Sequence, residues 1–324
     1  MTPLKLGTRG SALARWQAET VAAEILARSG RSCELVVIST TGDRLTDVSL
    51  STVGGKNVFV KEIEQALRAG DIDLAVHSAK DMPAELPAGL AIPAVLPRAD
   101  ARDAVILPAG STPLPVVPTS DLGDALGPYP RVGSGSVRRV AQLSRAWPTA
   151  QFQLMRGNVG TRLRKLDAGD CDLLILAAAG LTRLGFQHRI SATIDSDTCV
   201  PAPGQGIIAI ESRGDDEETI EVLVAINDKP TMAALSAERA VVARLGGGCQ
   251  VPIGAFAEGL GDTLTLRAVV TSLDGTRVLR RSGAGPARDA HQLGLAIAEG
   301  LLEDGAGPLL DVARMSTTAG DSAP

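Results

Sequence analysis

Aromatic side chains are nearly absent: Phe, Trp and Tyr make up 2% of 324 residues, against 44% hydrophobic residues in all. Any core must therefore be packed from aliphatic side chains and alanine. Cysteine and histidine are as sparse, at four and three. Cys33, Cys171, Cys199 and Cys249 stand far apart without a CxxC pair, and the histidines are scattered. That spacing argues against a zinc or other metal site and fits a reducing cytoplasm. No apolar run approaches the roughly 18 residues of a membrane span, and the stretch from Met1 to Gly7 lacks the apolar core of a signal peptide. The net charge of −5 has the wrong sign for a general nucleic-acid binder. The length suits two or three domains of roughly 100–200 residues each.

Glycine is plentiful, and its densest cluster surrounds one thiol. Gly246-Gly247-Gly248-Cys249-Gln250-Val251-Pro252-Ile253-Gly254 follows Thr231 to Leu245, whose apolar spacing is that of an amphipathic helix. Gly246 can end that helix in a left-handed cap, and the next two glycines clear side chains from around the sulfur. Two readings fit: a buried thiol beside a helix cap, or a place where something bulky sits against the backbone at Cys249.

Taken in order, Leu4 to Thr8 reads as a strand, and Ser11 as the N-cap of a helix over Ala12 to Arg28. A strand at Glu34 to Ser39 precedes a long polar stretch, Thr40 to Asn57, of the kind that forms lids or stays disordered. A helix over Val58 to Ala69 and a strand over Ile72 to His77 then deliver Ser78-Ala79-Lys80-Asp81. The second stretch repeats the first. Arg131 to Ser136 leads into a helix over Val137 to Ala146, Gln151 to Met155 is a strand, and a further helix ends at Gly169. Leu67-Arg68-Ala69-Gly70-Asp71-Ile72-Asp73-Leu74 is nearly copied at Leu166-Asp167-Ala168-Gly169-Asp170-Cys171-Asp172-Leu173, so twin α/β lobes are expected.

A Pro-rich stretch, Pro108 to Pro130, reads as one crossing between the lobes, and Val200 to Gly206 as the return, with Ile207 to Glu211 rejoining the first sheet. After the Thr231–Leu245 helix, Val251–Ala257, Leu264–Thr271 and Arg277–Arg281 read as three antiparallel strands with a turn at Asp274-Gly275, covered by a helix from Ala287 to Glu303. The expected division is a first lobe of residues 1–97 and 204–222, a second of 98–203, an α+β domain of 223–316 and a disordered tail from 317 to 324.

The chemistry gathers where strands end. Small residues open helices in both lobes, so backbone N–H groups and the hydroxyls of Ser11, Ser134 and Ser136 are expected to face outward, as at anion sites. Arg9, Arg138, Arg139, Arg156 and Arg162 crowd the same points, with Lys80 at a strand end. Any one of these arginines could simply face solvent. Five at equivalent strand ends on an acidic protein point to a polyanion in the cleft, most easily a polycarboxylate held by bidentate guanidiniums. Asp81 is the odd acid among these cations.

These residues carry a resemblance. The chain resembles porphobilinogen deaminase (hydroxymethylbilane synthase) of tetrapyrrole biosynthesis from Leu4 to about Val312. The likeness rests on Gly7-Thr8-Arg9-Gly10-Ser11, Val53-Gly54-Gly55-Lys56, Phe59-Val60-Lys61-Glu62, His77-Ser78-Ala79-Lys80-Asp81, Arg138-Arg139, Leu154 through Leu163, Pro201 through Gly206, and Gly247 through Gly254. It implies two periplasmic-binding-protein-like (type II) lobes with a hinge, and a smaller third domain whose Cys249 holds a dipyrromethane cofactor through a thioether. On that primer four porphobilinogens are joined with loss of ammonia, and water releases hydroxymethylbilane for the next tetrapyrrole enzyme. The resemblance further implies a cytoplasmic monomer.

Carried over residue by residue, it makes Asp81 the catalytic carboxylate. Ser78, Lys80, Asp81, Ser134, Ser136, Arg138, Arg139, Arg162 and the backbone at Gly206 then meet the cofactor. Arg9, Ser11, Gln17, Phe59, Arg156 and Arg183 serve the incoming substrate, and Lys56 sits on the lid. The sequence departs from the family pattern at Ala79, Gly135 and Asn57, none of them the acid, the thiol or a main arginine. A non-catalytic twin-lobe solute-binding protein for a polycarboxylate is the rival reading, since fold alone does not separate the two. A cysteine hydrolase would need a histidine base, and no histidine stands in a comparable motif.

Overall fold

The computed structural model describes residues 2–40, 60–112, 114, 117–247 and 251–319. The expected lid segment beyond Thr40, with Lys56, Asn57 and Phe59, and the thiol Cys249 lie outside the described residues.

The first sheet has the order β2-β1-β3-β10-β4, from β1 (Leu4–Thr8), β2 (Cys33–Val37), β3 (Leu74–Ser78), β4 (Leu90–Val95) and β10 (Ile208–Arg213). β1 pairs in parallel with β2 and β3, while β10 runs antiparallel between β3 and β4. The second sheet has the order β7-β6-β8-β5-β9, from β5 (Asp103–Ile106), β6 (Arg131–Ser134), β7 (Gln151–Leu154), β8 (Leu173–Ala177) and β9 (Ala192–Ile194). Its parallel trio β7-β6-β8 and antiparallel β5 repeat the first pattern. The fold is thus two α/β lobes of like strand order plus a small three-stranded sheet.

The copied join has a physical reason. In lobe one, the Asp73 carboxylate accepts the Lys5 N–H at 2.8 Å while the Asp73 N–H donates to the Lys5 carbonyl at 2.9 Å. In lobe two, Asp172 makes the same pair with Arg131, at 2.8 and 2.9 Å. Each preceding glycine, Gly70 (φ 74°) and Gly169 (φ 85°), turns the chain out of its helix through the left-handed region.

Helix α1 (Ala12–Ser29) starts where Ser11 Oγ accepts the Ala14 N–H at 3.3 Å. It lays Ala18, Val21 and Ile25 on the first sheet. Helix α2 (Lys61–Ala69) packs Ile63 and Leu67 with Ile72 and Ala75, on the sheet's other side. The Pro-rich stretch is not the crossing. The chain passes between sheets over residues 96–102, and the proline segment instead carries helix α3 (Thr119–Ala125), which belongs to the second lobe. Leu122 packs there with Trp147, whose Nε1 donates to the Thr119 carbonyl at 3.0 Å. Helices α4 (Val137–Ala146) and α5 (Val159–Asp167) are capped by Ser136 and Asn158. A short α6 (Ala178–Arg183) follows β8.

The acidic run after β10 opens a helix, α7 (Glu217–Val224), with Asp216 as its cap. Helix α8 (Lys229–Arg244) leads to the third sheet, in which β11 (Ile253–Leu260), β12 (Thr263–Thr271) and β13 (Val278–Pro286) pair antiparallel in chain order. Helices α8, α9 (Ala290–Glu303) and α10 (Ala306–Ala319) share that sheet's aliphatic core. The expected disordered tail begins too early: α10 runs on to Ala319, and Ser316 Oγ donates to the Val312 carbonyl at 2.9 Å. No helix of the described residues is long and apolar enough to cross a membrane.

Candidate functional site

β3 is buried from Leu74 to His77 and releases its chain into a single tight turn, Ala79–Asp81, at the sheet's C-terminal edge. The same edge carries the end of β1 and the start of α1. Arg9, Ser11, Gln17, Ser78 and Asp81 therefore line one small cleft, with Val60 from the foot of α2. Gln17 is 2% exposed, and its Nε2 donates to Ser78 Oγ at 2.9 Å, fixing the serine at the rim. Ser11 and Ser136 turn their oxygens to the first N–H groups of their helices, accepting from Ala14 and Arg139. Ser134 departs from expectation: it is buried, and its Oγ accepts the Ser136 N–H at 3.3 Å rather than facing outward.

One cation from each lobe, Lys80 and Arg162, acts on Asp81. Burial pushes the Lys80 amine down from 10.5 to about 8; after burial come the fields of Asp81, Arg139, Asp103 and Arg138. Arg162, on α5, is likewise pushed down by burial to about 10, with Arg139, Asp81 and Arg156 close enough to act on it. Its Nε donates only to the Gly157 carbonyl, at 2.7 Å. Burial brings Arg183 to about 10 as well; its Nη2 donates to the Gly206 carbonyl at 2.7 Å and its guanidinium lies 5.9 Å from the Trp16 ring centre. Among the described residues none of these three cations is ion-paired to a carboxylate. Such desolvated cations are uncomfortable alone and strong toward an anion.

Arg138 and Arg139 behave differently. Neither faces solvent: they are 4% and 6% exposed, and both are bound to Asp103, a residue the sequence reading passed over. Burial opposes the charge on Asp103, but the two guanidiniums outweigh it and hold the carboxyl well below the usual range. Cys199, whose Sγ meets Arg138 Nη1 at 3.2 Å, is pushed by burial to about 12 and stays a thiol.

A second missed acid organises the hinge. Glu238, on α8, is 0% exposed and accepts from Arg98 Nη1 at 2.6 Å, Gly204 N at 2.6 Å and Ala257 N at 2.7 Å. It thereby ties the crossing, the return segment and the third sheet together. Gly206 has φ 85°, and a Cβ there would lie 2.5 Å from the Ala99 carbonyl oxygen, so only glycine closes this crossing. No local signal in the sequence marks Glu238 as buried; only its packing shows it.

A half-buried, cation-rich cleft beside Asp81 suits a polycarboxylate ligand. The family model described as "Porphobilinogen deaminase, dipyromethane cofactor binding domain" matches residues 4–221, and "Porphobilinogen deaminase, C-terminal domain" matches residues 232–303. The chain belongs to the porphobilinogen deaminase family. Relatives named porphobilinogen deaminase include one from Geobacter metallireducens, 46% identical over 95% of this chain and 93% of its own length. Another, from Trichlorobacter lovleyi, is 46% identical over 95% of this chain and 96% of its own. Among solved structures, the second substrate-binding domain of Lactococcus lactis GlnP is similar at 11% identity, covering 76% of this chain and 91% of that one, with a TM-score of 0.43. As a porphobilinogen deaminase the protein is a transferase of porphyrin and heme biosynthesis, a hydroxymethylbilane synthase, with porphobilinogen as substrate and a dipyrromethane cofactor.

The residues present fit that cofactor. Every pyrrole of a dipyrromethane carries an acetate and a propionate, and Lys80 and Arg162 are half-buried cations with no carboxylate paired to them among the described residues. The Arg138 Nε is also buried without a partner among the described residues.

Proposed function

We propose that Asp81 is the catalytic carboxylate of this hydroxymethylbilane synthase, and that Cys249 anchors the dipyrromethane through a thioether. The single observation behind this reading is that two half-buried cations, Lys80 and Arg162, act on one acid that has no hydrogen-bond partner of its own among the described residues. Lys80, Arg138, Arg139, Arg162, Ser78 and Ser136 would hold the cofactor's carboxylates. Arg9, Ser11, Gln17, Arg156 and Arg183 would receive porphobilinogen. The dipyrromethane, when bound, supplies a nucleophilic pyrrole carbon.

The chain's own residues do the rest. The aminomethyl group of porphobilinogen is an ammonium, so ammonia departs with the C–N bonding pair and needs no proton from the enzyme. Departure needs electron push from the substrate's pyrrole nitrogen. Asp81, accepting that N–H, strengthens the push and stabilises the cation that forms. Once the new C–C bond exists, one α-proton is surplus; Asp81 takes it and passes it to the departing ammonia, which leaves as ammonium. Arg9 and Arg156 hold the substrate's acetate and propionate so that the reacting carbons meet. We further read the enzyme as a cytoplasmic monomer whose product goes to the next tetrapyrrole enzyme.

Intact mass tests the reading. The purified chain should carry an addition equal to two porphobilinogens less two ammonias, and Cys249→Ser should fold without it and show no turnover. An unmodified, fully active Cys249→Ser protein would sink the anchor assignment.

A further inference from the structure

Asp103, the acid at the head of β5, has no place in the chemistry above, yet it is fully buried beside the primer's expected arginines. Its oxygens are divided between two neighbours on one helix. Oδ2 accepts from Arg138 Nη2 at 2.7 Å; Oδ1 accepts from Arg139 Nε at 3.0 Å and Nη2 at 2.8 Å. Gln205, on the return segment, donates a further hydrogen bond to Oδ1 at 2.8 Å. That amide is held in turn by the Ala101 carbonyl at 2.6 Å, while the Gln205 carbonyl accepts from Arg98 Nε at 2.9 Å.

Two adjacent buried guanidiniums without an acid would repel each other and swing to separate partners. One carboxylate between them cancels one charge and leaves the other. The donors not turned to Asp103 are only partly used: Arg138 Nη1 reaches the Val200 carbonyl at 2.7 Å, Arg139 Nη1 reaches the Ile175 carbonyl at 3.2 Å, and Arg138 Nε has no partner among the described residues.

We infer that Asp103 is a positioning residue for primer loading: it clamps Arg138 and Arg139 side by side before the dipyrromethane arrives, leaving one net positive charge to receive a primer carboxylate. Gln205 keys the clamp to the hinge. The inference rests on the reading of Arg138 and Arg139 as primer-binding. Pre-placing the pair lowers the ordering cost of binding, which is where such a clamp acts.

The test measures loading rather than turnover. Full-length Asp103→Asn, prepared without primer, is incubated with porphobilinogen and followed by intact mass, beside wild type. Loss of the charge-assisted bonds should slow covalent loading at least about tenfold, while the KM for porphobilinogen of the loaded fraction stays at the wild-type value. A purely structural acid would lower the melting temperature and leave folded molecules loading normally; that outcome overturns the inference. If Asp103→Asn does not fold, Gln205→Leu decides, because it removes one neutral donor from Oδ1 and keeps both ion pairs. It should slow loading about threefold to tenfold, and wild-type loading there overturns the inference too. A wild-type chain that never acquires the mass addition would instead defeat the primer reading itself.

Discussion

Lys80 is a built-in cost of folding without the primer, and that cost can be measured. Its amine is pushed from 10.5 to about 8, chiefly by burial. A shift of that size corresponds to about 3 kcal/mol at about 1.4 kcal/mol per unit. The folded-state value lies below the unfolded one. Between pH 8 and 10.5 the unfolded chain therefore holds a proton that the folded chain has shed, and stability rises with pH across that window. Below pH 8 the whole cost is present. Lys80→Met in the primer-free Cys249→Ser background should then stabilise the protein at pH 7, by roughly 4 °C in melting temperature at about 2 cal/mol/K per residue. At pH 10 the gain should shrink to little. In the primer-loaded enzyme the sign should reverse, because a cofactor carboxylate compensates the ammonium and the methionine would leave that carboxylate unpaired. Differential scanning calorimetry of both backgrounds at the two pH values reads all three. A Lys80→Met protein that melts lower than its primer-free parent at pH 7 would refute the reasoning, since it would mean the ammonium already has a partner.

Asp81→Asn should fold normally and lose about 10²–10⁴-fold in single-turnover rate, and Asp81→Glu should also be slow because placement matters; a destabilised Asp81→Asn with a near-normal rate would make the acid structural. Arg9→Leu should keep the primer and block the first additions, visible as a truncated ladder of enzyme–intermediate masses at limiting porphobilinogen, whereas a wild-type ladder would remove Arg9 from the substrate site. Glu238→Ala strips a buried acid from Arg98 and from two backbone N–H groups, so urea unfolding should show a loss of about 3–5 kcal/mol, with the folded fraction still carrying its primer.

Much of this architecture was legible because local rules and the global fold agree. Ser11 reads as a cap and is one; the Ala-Gly-Asp-x-Asp repeat reads as twin lobes because Asp73 and Asp172 each tie the next strand edge by the same pair of bonds. The strands β4 and β5 went unread for a physical reason. Prolines lie within or beside them, and their pairing with β10 and β8 depends on partners far along the chain, which no local pattern reports. The Pro108–Pro130 stretch misled in the same way: proline suggests a linker, but Leu122 and the Thr119 carbonyl are committed to Trp147.

The candidate site divides along a similar line. Residues whose role lies in being presented to a ligand sit at strand ends and helix starts, and that placement is written in the sequence; Arg9, Ser11, Ser78 and Asp81 do converge. Residues whose role lies in holding other residues carry no such mark. Asp103 and Glu238 are ordinary letters in ordinary elements, and only the third dimension shows each as a buried acid with several donors aimed at it. The arginine pair shows what that difference implies. From sequence, Arg138 and Arg139 are two free cations awaiting an anion; in the fold they already share one. Asp103 fixes where the two guanidiniums stand before a second carboxylate arrives, so substituting the acid should slow primer loading as surely as substituting either arginine.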